Sequence, residues 1–206
     1  MKKLILPLLL LVAFGMLAAV ESNPSDVVGY VKYDLIAGNN TLALPMVQTY
    51  AMAGDVGNAI TGCGTVRYFD ASTQLWVAAT KNFLGNWVGN FAVTNGQPLQ
   101  IVTTATQSFY SIGDLPSTLP TYTLIAGNNM IMVPLDESAL NMAGLVGNSI
   151  SGCGTVRYFD ASTQLWVSAT KNFLGNWVGN FATAIGDPLQ IVTTTAQTWP
   201  TAKLSK

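Results

Sequence analysis

The chemistry open to this chain is set by ten acidic residues, nine basic residues, two cysteines and no histidine. Catalysis needs a group poised for proton transfer or an activated nucleophile. Without histidine, the usual triads and most metal sites are excluded. A carboxylate pair remains a formal option. Asp70 and Asp160, however, open turn sequences in which bonding backbone amides two residues on is role enough. The adjacent Asp136 and Glu137 occur in one half of the chain only. The residues therefore predict a protein that is not an enzyme and holds neither cofactor nor metal.

Two other side-chain types carry possible chemistry. Cys63 and Cys153 stand at equivalent places in a duplicated sequence. Three states are open to them: one bridge between the two copies, free buried thiols, or bridges between chains. A bridge between copies would close about 90 residues and be worth about 4–5 kcal/mol by the loop-entropy relation. The tryptophans Trp76, Trp87, Trp166 and Trp177 offer apolar faces on which a sugar ring can stack. The competing role is to fill the core or cover a sheet, since aromatic residues favour strands. The stronger binding candidates are Trp76 and Trp166, paired with Arg67 and Arg157. Asn82, Asn86 and Asn90 could add hydrogen bonds nearby, or serve their own loops.

The elements that must position these residues come twice. Gly62–Ala92 reads GCGTVRYFDASTQLWVAATKNFLGNWVGNFA, and Gly152–Ala182 repeats it with Ser168 in place of Ala78 as the only change. The match extends outward: LIAGNNTLALPM (35–46) aligns with LIAGNNMIMVPL (124–135), and GQPLQIVTT (96–104) with GDPLQIVTT (186–194). TVRYFD and QLWVAAT are β-branched and aromatic runs around the turn cluster DAST, which predicts a hairpin. Pairing Phe69 with Gln74 puts Val66, Tyr68, Leu75 and Val77 on one buried face. It sets Arg67 against Trp76 on the other as a cation–π pair. Trp87, Gly89, Phe91 and Val93 alternate and predict another strand, as do Leu99, Ile101 and Thr103. The one helix expected is 137–147, capped by Asp136, with a weaker counterpart at 50–57 broken by Gly54 and Gly57. The fold class expected is all-β: two tandem homologous β-sandwich or barrel-like units, with one short helix each.

The order of these features resembles a secreted β-rich repeat module of bacterial and archaeal surface proteins. There, a strand of the Gly-Trp-Asn-Leu-Ile-Ser-Leu-Pro type precedes a Tyr-Asp-Ala-x-Thr-x-x-Trp hairpin. In this chain Asn39 and Asn128 stand where the opening Trp would be, and Leu99–Gln100 and Leu189–Gln190 replace a closing aromatic pair. The resemblance implies a secreted module of structural or adhesive use, with no catalytic residues to carry over.

Lys2 and Lys3 precede an apolar run from Leu4 to Val20, with Ala18 and Ala19 near its end. That is the order of a signal peptide; the run is short for a membrane span. The division expected is 1–22 signal peptide, 23–112 first β unit with an N-terminal strand, 113–121 linker, and 122–206 second β unit. Removal of 1–22 takes Lys2, Lys3 and Glu21, so the net charge moves from −1 to −2, and charged residues are only 9% of the chain. Such a surface does not attract phosphates, so nucleic acid is not an expected partner. It offers little repulsion against self-association. The chain reads as a non-enzymatic structural or adhesive protein, outside the cell or on its surface, with the periplasm as a further option. No membrane contact is expected after signal removal. Self-association is the expected partnership, in fibres or layers built by strand pairing. The strand-like segment holding Val27, Val28, Tyr30 and Val31 is the candidate assembly strand. The alternative is a bivalent carbohydrate-binding protein with one aromatic site per repeat and extracellular glycans as partners.

Overall fold

The computed structural model describes residues 28–200. The segment 1–22, expected to be a signal peptide, and Val27 lie outside the described residues. In the first unit β1 is Val28–Leu35, β2 Gly38–Leu42, α1 Ala53–Asn58, β3 Cys63–Asp70 and β4 Leu75–Lys81. β5 (Trp87–Val88), β6 (Leu99–Thr103) and β7 (Gln107–Asp114) complete it. The second unit repeats the order: β8 Tyr122–Leu124, β9 Gly127–Met132, α2 Ala143–Asn148, β10 Cys153–Asp160 and β11 Leu165–Lys171. It ends with β12 (Trp177–Val178), β13 (Pro188–Thr193) and β14 (Gln197–Trp199). The protein is all-β, with two homologous sandwich-like units in tandem and one short helix in each.

Each unit sets a five-stranded antiparallel sheet, ordered β2-β6-β3-β4-β5 or β9-β13-β10-β11-β12, beside a two-stranded ribbon, β1-β7 or β8-β14. The core lies on the sheet face that the alternating pattern selects. Val66 sits opposite Ala79 and Ile101, and all three are fully buried. Leu35 from the ribbon, Leu42, Leu99 and Val56 of α1 close the first core, and Phe109 of β7 packs with them. The second core is separate and equivalent, built on Leu124, Ile131, Val156, Leu189, Ile191 and Trp199. Each large aliphatic side chain buried this way contributes about 1.5–3 kcal/mol.

Three local expectations are corrected. The hairpin register lies two residues from the expected one: Asp70 pairs with Leu75, Phe69 with Trp76 and Tyr68 with Val77. The residue parity is kept, so Val66 and Tyr68 still share a face with Val77 and Leu75, though Leu75 is exposed. The cause is Gln74, which takes a left-handed φ of 57° and so belongs to the turn. The expected strand over 87–93 is only Trp87–Val88, because Gly89 turns the chain at φ 73°. The chain beyond lies against the helix approach, with Ala53 N–H donating to Phe91 O at 2.9 Å.

The helices are equal in both copies and start later than expected, after Met52 and Met142; Asp136 caps neither. Gly54 and Gly57 are not breakers here but a seat. A Cβ on Gly54 would stand 2.8 Å from the Trp87 ring, and one on Gly57 would overlap it. Gly144 and Gly147 seat Trp177 in the same way.

The two units hold each other reciprocally. The Gln74 side chain accepts from Asn128 N (2.9 Å) and Nδ2 (3.1 Å) and donates to Asn128 O (2.9 Å). Gln164 does the same to Asn39, at 2.8, 3.0 and 2.9 Å. A primary amide thus imitates a neighbouring strand at each sheet edge. Tyr33 Oη donates to Gly186 O (2.9 Å) and Tyr122 Oη to Gly96 O (2.7 Å), again one contact in each direction. Equivalent residues exchanging equivalent contacts is the signature of a twofold relation.

Candidate functional site

Asp70, Asp160, Cys63 and Cys153 have structural roles. Asp70 Oδ1 accepts Ser72 N–H (2.9 Å) and Ser72 Oγ–H (2.7 Å), and Oδ2 accepts Thr73 Oγ1–H (3.0 Å). The Ser72 and Thr73 side chains hold its carboxyl below the ordinary 3.8, and Ser162 and Thr163 do so for Asp160. Cys63 and Cys153 are free thiols, each buried in its own unit's core, so no bridge joins the units. Burial pushes both thiols up to about 11, which keeps them protonated and unreactive at neutral pH. Among the described residues no three His, Cys, Asp or Glu side chains gather as a metal site would require. No described helix is long and apolar enough to cross a membrane.

The expected Arg67–Trp76 pair does not form. Arg67 sits opposite Ala78 and donates to Gln100 Oε1 at 3.2 Å, while Trp76 meets Phe69 edge-on at 5.5 Å. Arg157 and Trp166 repeat this with Gln190 and Phe159. The register shift is the reason, since it moves Trp76 two pairs along from Arg67. The cations lying over indole rings are instead Lys81 on Trp87 and Lys171 on Trp177, at 5.7 and 5.9 Å. Trp76 remains 36% exposed. The asparagines serve the backbone: Asn82 Oδ1 accepts Leu84 N–H (3.0 Å) and Asn86 N–H (2.9 Å), and Asn90 Oδ1 accepts Gly54 N–H (2.8 Å). Of the candidate assembly strand, Val28, Tyr30 and Val31 lie in β1, which pairs along its whole length with β7 on one edge.

Two features stand out once the elements are placed. The first is the turn between β4 and β5. Asn82 closes it through its side chain, through its N–H to Asn86 O (2.9 Å) and through its carbonyl to Gly85 N–H (2.9 Å). At its tip Phe83 is 95% exposed, and Phe173 in the second copy 96%, each followed by an exposed leucine. The sequence signal was present: two apolar residues inside an Asn-Phe-Leu-Gly-Asn turn have no core to enter.

The second feature is a pair of equivalent clefts at the junction of the units. One, of about 410 Å³, is walled by Tyr158, Phe159, Phe181 and Leu189, with Thr41 from the other unit and Asp187. Its counterpart, of about 240 Å³, has Tyr68 and Phe69 in the same roles, with Met130 in place of Thr41 and Gln97 in place of Asp187. Asp187 accepts Ala184 N–H at 2.8 Å, and burial raises its carboxyl above the ordinary value. Neither cleft was legible beforehand, because each draws residues from both units.

No family model, no curated protein and no solved structure matches this chain.

Proposed function

We propose that this is a secreted, non-enzymatic structural or adhesive protein of the cell surface or extracellular matrix that associates with itself. The single observation carrying this reading is the pair of bare Phe-Leu tips, 95% and 96% exposed at phenylalanine and held rigid by the same asparagine turn. A soluble chain with charged residues at only 9% has little to offset two such patches. The apolar N-terminal run after Lys2 and Lys3 supports export.

The contact is better assigned to these tips than to the edges of the five-stranded sheets. The β2 and β9 edges are each met by a glutamine side chain of the other unit, and the opposite edges, β5 and β12, are two residues long; among the described residues no strand pairs with the outer edge of β1, which is the strand edge that competes with the tips. Replacing Phe83 and Phe173 by serine should lower self-association in sedimentation experiments and leave the melting temperature unchanged. Unchanged association would remove the tips from the account. Deleting residues 23–31 tests the donated-strand version separately: assembly that survives it rules that version out.

A second reading is favoured by Trp76, whose ring is partly exposed on the sheet face away from the core. It makes the chain a bivalent glycan binder through Trp76 and Trp166. Trp76→Ala with Trp166→Ala would then abolish glycan retention without unfolding. Retention that persists sends the search elsewhere.

A further inference from the structure

The exposed tips need a receptor, and the junction supplies a hollow of matching chemistry. We propose that the Phe-Leu tip of one copy seats in the Thr41–Asp187 cleft of the next. This inference rests on the self-association reading above.

Four observations carry it. The tip is apolar and preformed, since Asn82 and Asn172 fix the turn by accepting the N–H groups of residues two and four ahead; little ordering is lost when it docks. The cleft is open, of about 410 Å³, and walled by the aromatic rings of Tyr158, Phe159 and Phe181. That volume falls within the range of sites that bury small ligands, and edge-on ring packing against a phenyl group is favourable. The charges are complementary: Lys81 and Lys171 lie two residues before Phe83 and Phe173, and Asp187 is the one acidic residue on the cleft wall.

The fourth observation is internal. The sister cleft, built on the same aromatic pair, holds about 240 Å³, with Met130 standing for Thr41 and Gln97 for Asp187, so it carries no charge from that wall. The divergence between copies therefore leaves one cleft larger and acidic and the other smaller and neutral. A tip on one surface meeting a cleft on another is a heterologous contact. Repetition of such a contact gives a filament or a ring.

The test is complementation by sedimentation velocity, from about 1 μM to about 1 mM chain. Phe83→Ser with Phe173→Ser keeps the cleft and removes both tips. Thr41→Met keeps the tips and narrows the cleft with the side chain that its equivalent position already carries. Circular dichroism melts confirm that both variants fold, and Thr41→Leu replaces Thr41→Met if the latter does not. Each variant alone should associate at least about tenfold more weakly than the parent chain. Mixed, they should form complexes of one Thr41→Met chain, which keeps two tips, with one or two tipless chains, and nothing larger. A mixture that stays monomeric while the parent chain assembles overturns the tip-in-cleft contact and leaves self-association standing. A parent chain that stays monomeric throughout overturns both.

Discussion

Asp70, Cys63 and Gln74 show how far a residue type determines its work in this chain. The Asp70 carboxylate does what its place before Ser72 suggests, bonding the turn. Its folded pKa is depressed, so its stabilising contribution is complete above the unfolded value of 3.8 and is lost as pH falls through the folded one. The melting temperature should therefore drop on acidification below about pH 4, and Asp70→Asn with Asp160→Asn should flatten that drop. An unchanged acid limb would remove these turns from the stability account. For Cys63 the sequence left three states open, and burial in its own core selects the free thiol. Ellman titration should find almost no reactive thiol in the native chain and two after denaturation, with no reductant present. Gln74 was not legible as a contact, because its role requires a partner 54 positions away.

At the scale of elements, alternation was a sound guide to faces and a weaker one to lengths. It placed Val66 with Val77 on one face and Arg67 with Trp76 on the other, as the hairpin has them. It could not fix the register, because the left-handed φ of Gln74 is a property of the turn and not of the residue type. The glycines of α1 misled for a different reason. A helix interior normally disfavours glycine, but here the Trp87 ring lies where a Cβ would stand. Gly57→Ala should therefore destabilise the first unit by about 1–3 kcal/mol in urea unfolding, the cost of overpacking, although alanine is the better helix former. A neutral or stabilising effect would mean the ring is free to move. Within the sheet, Ile101 is fully buried between strands β2 and β3, and Ile101→Ala should cost about 2–5 kcal/mol in the same measurement.

The whole molecule is two complete cores tied by contacts that each copy gives and receives. The duplication was plain in the sequence, and so was the β class. The junction was not, since the repeat describes each unit's interior and is silent on which surfaces meet. Gln74→Ala with Gln164→Ala removes both strand-mimicking amides. At about 0.5–1.5 kcal/mol net per hydrogen bond, the loss should separate the unfolding of the two units in calorimetry. One undivided transition would show that the clefts and tyrosines hold the junction alone. The same junction creates the cleft proposed to receive the tips, so that candidate surface arises from the pairing of units.

The most direct test of the central claim, that the molecule works by contact with its own kind, is negative-stain microscopy of residues 23–206, near neutral pH and across a range of concentrations. Ordered filaments or layers that thin out on dilution are the result this account predicts. Dispersed single particles at every concentration would contradict it.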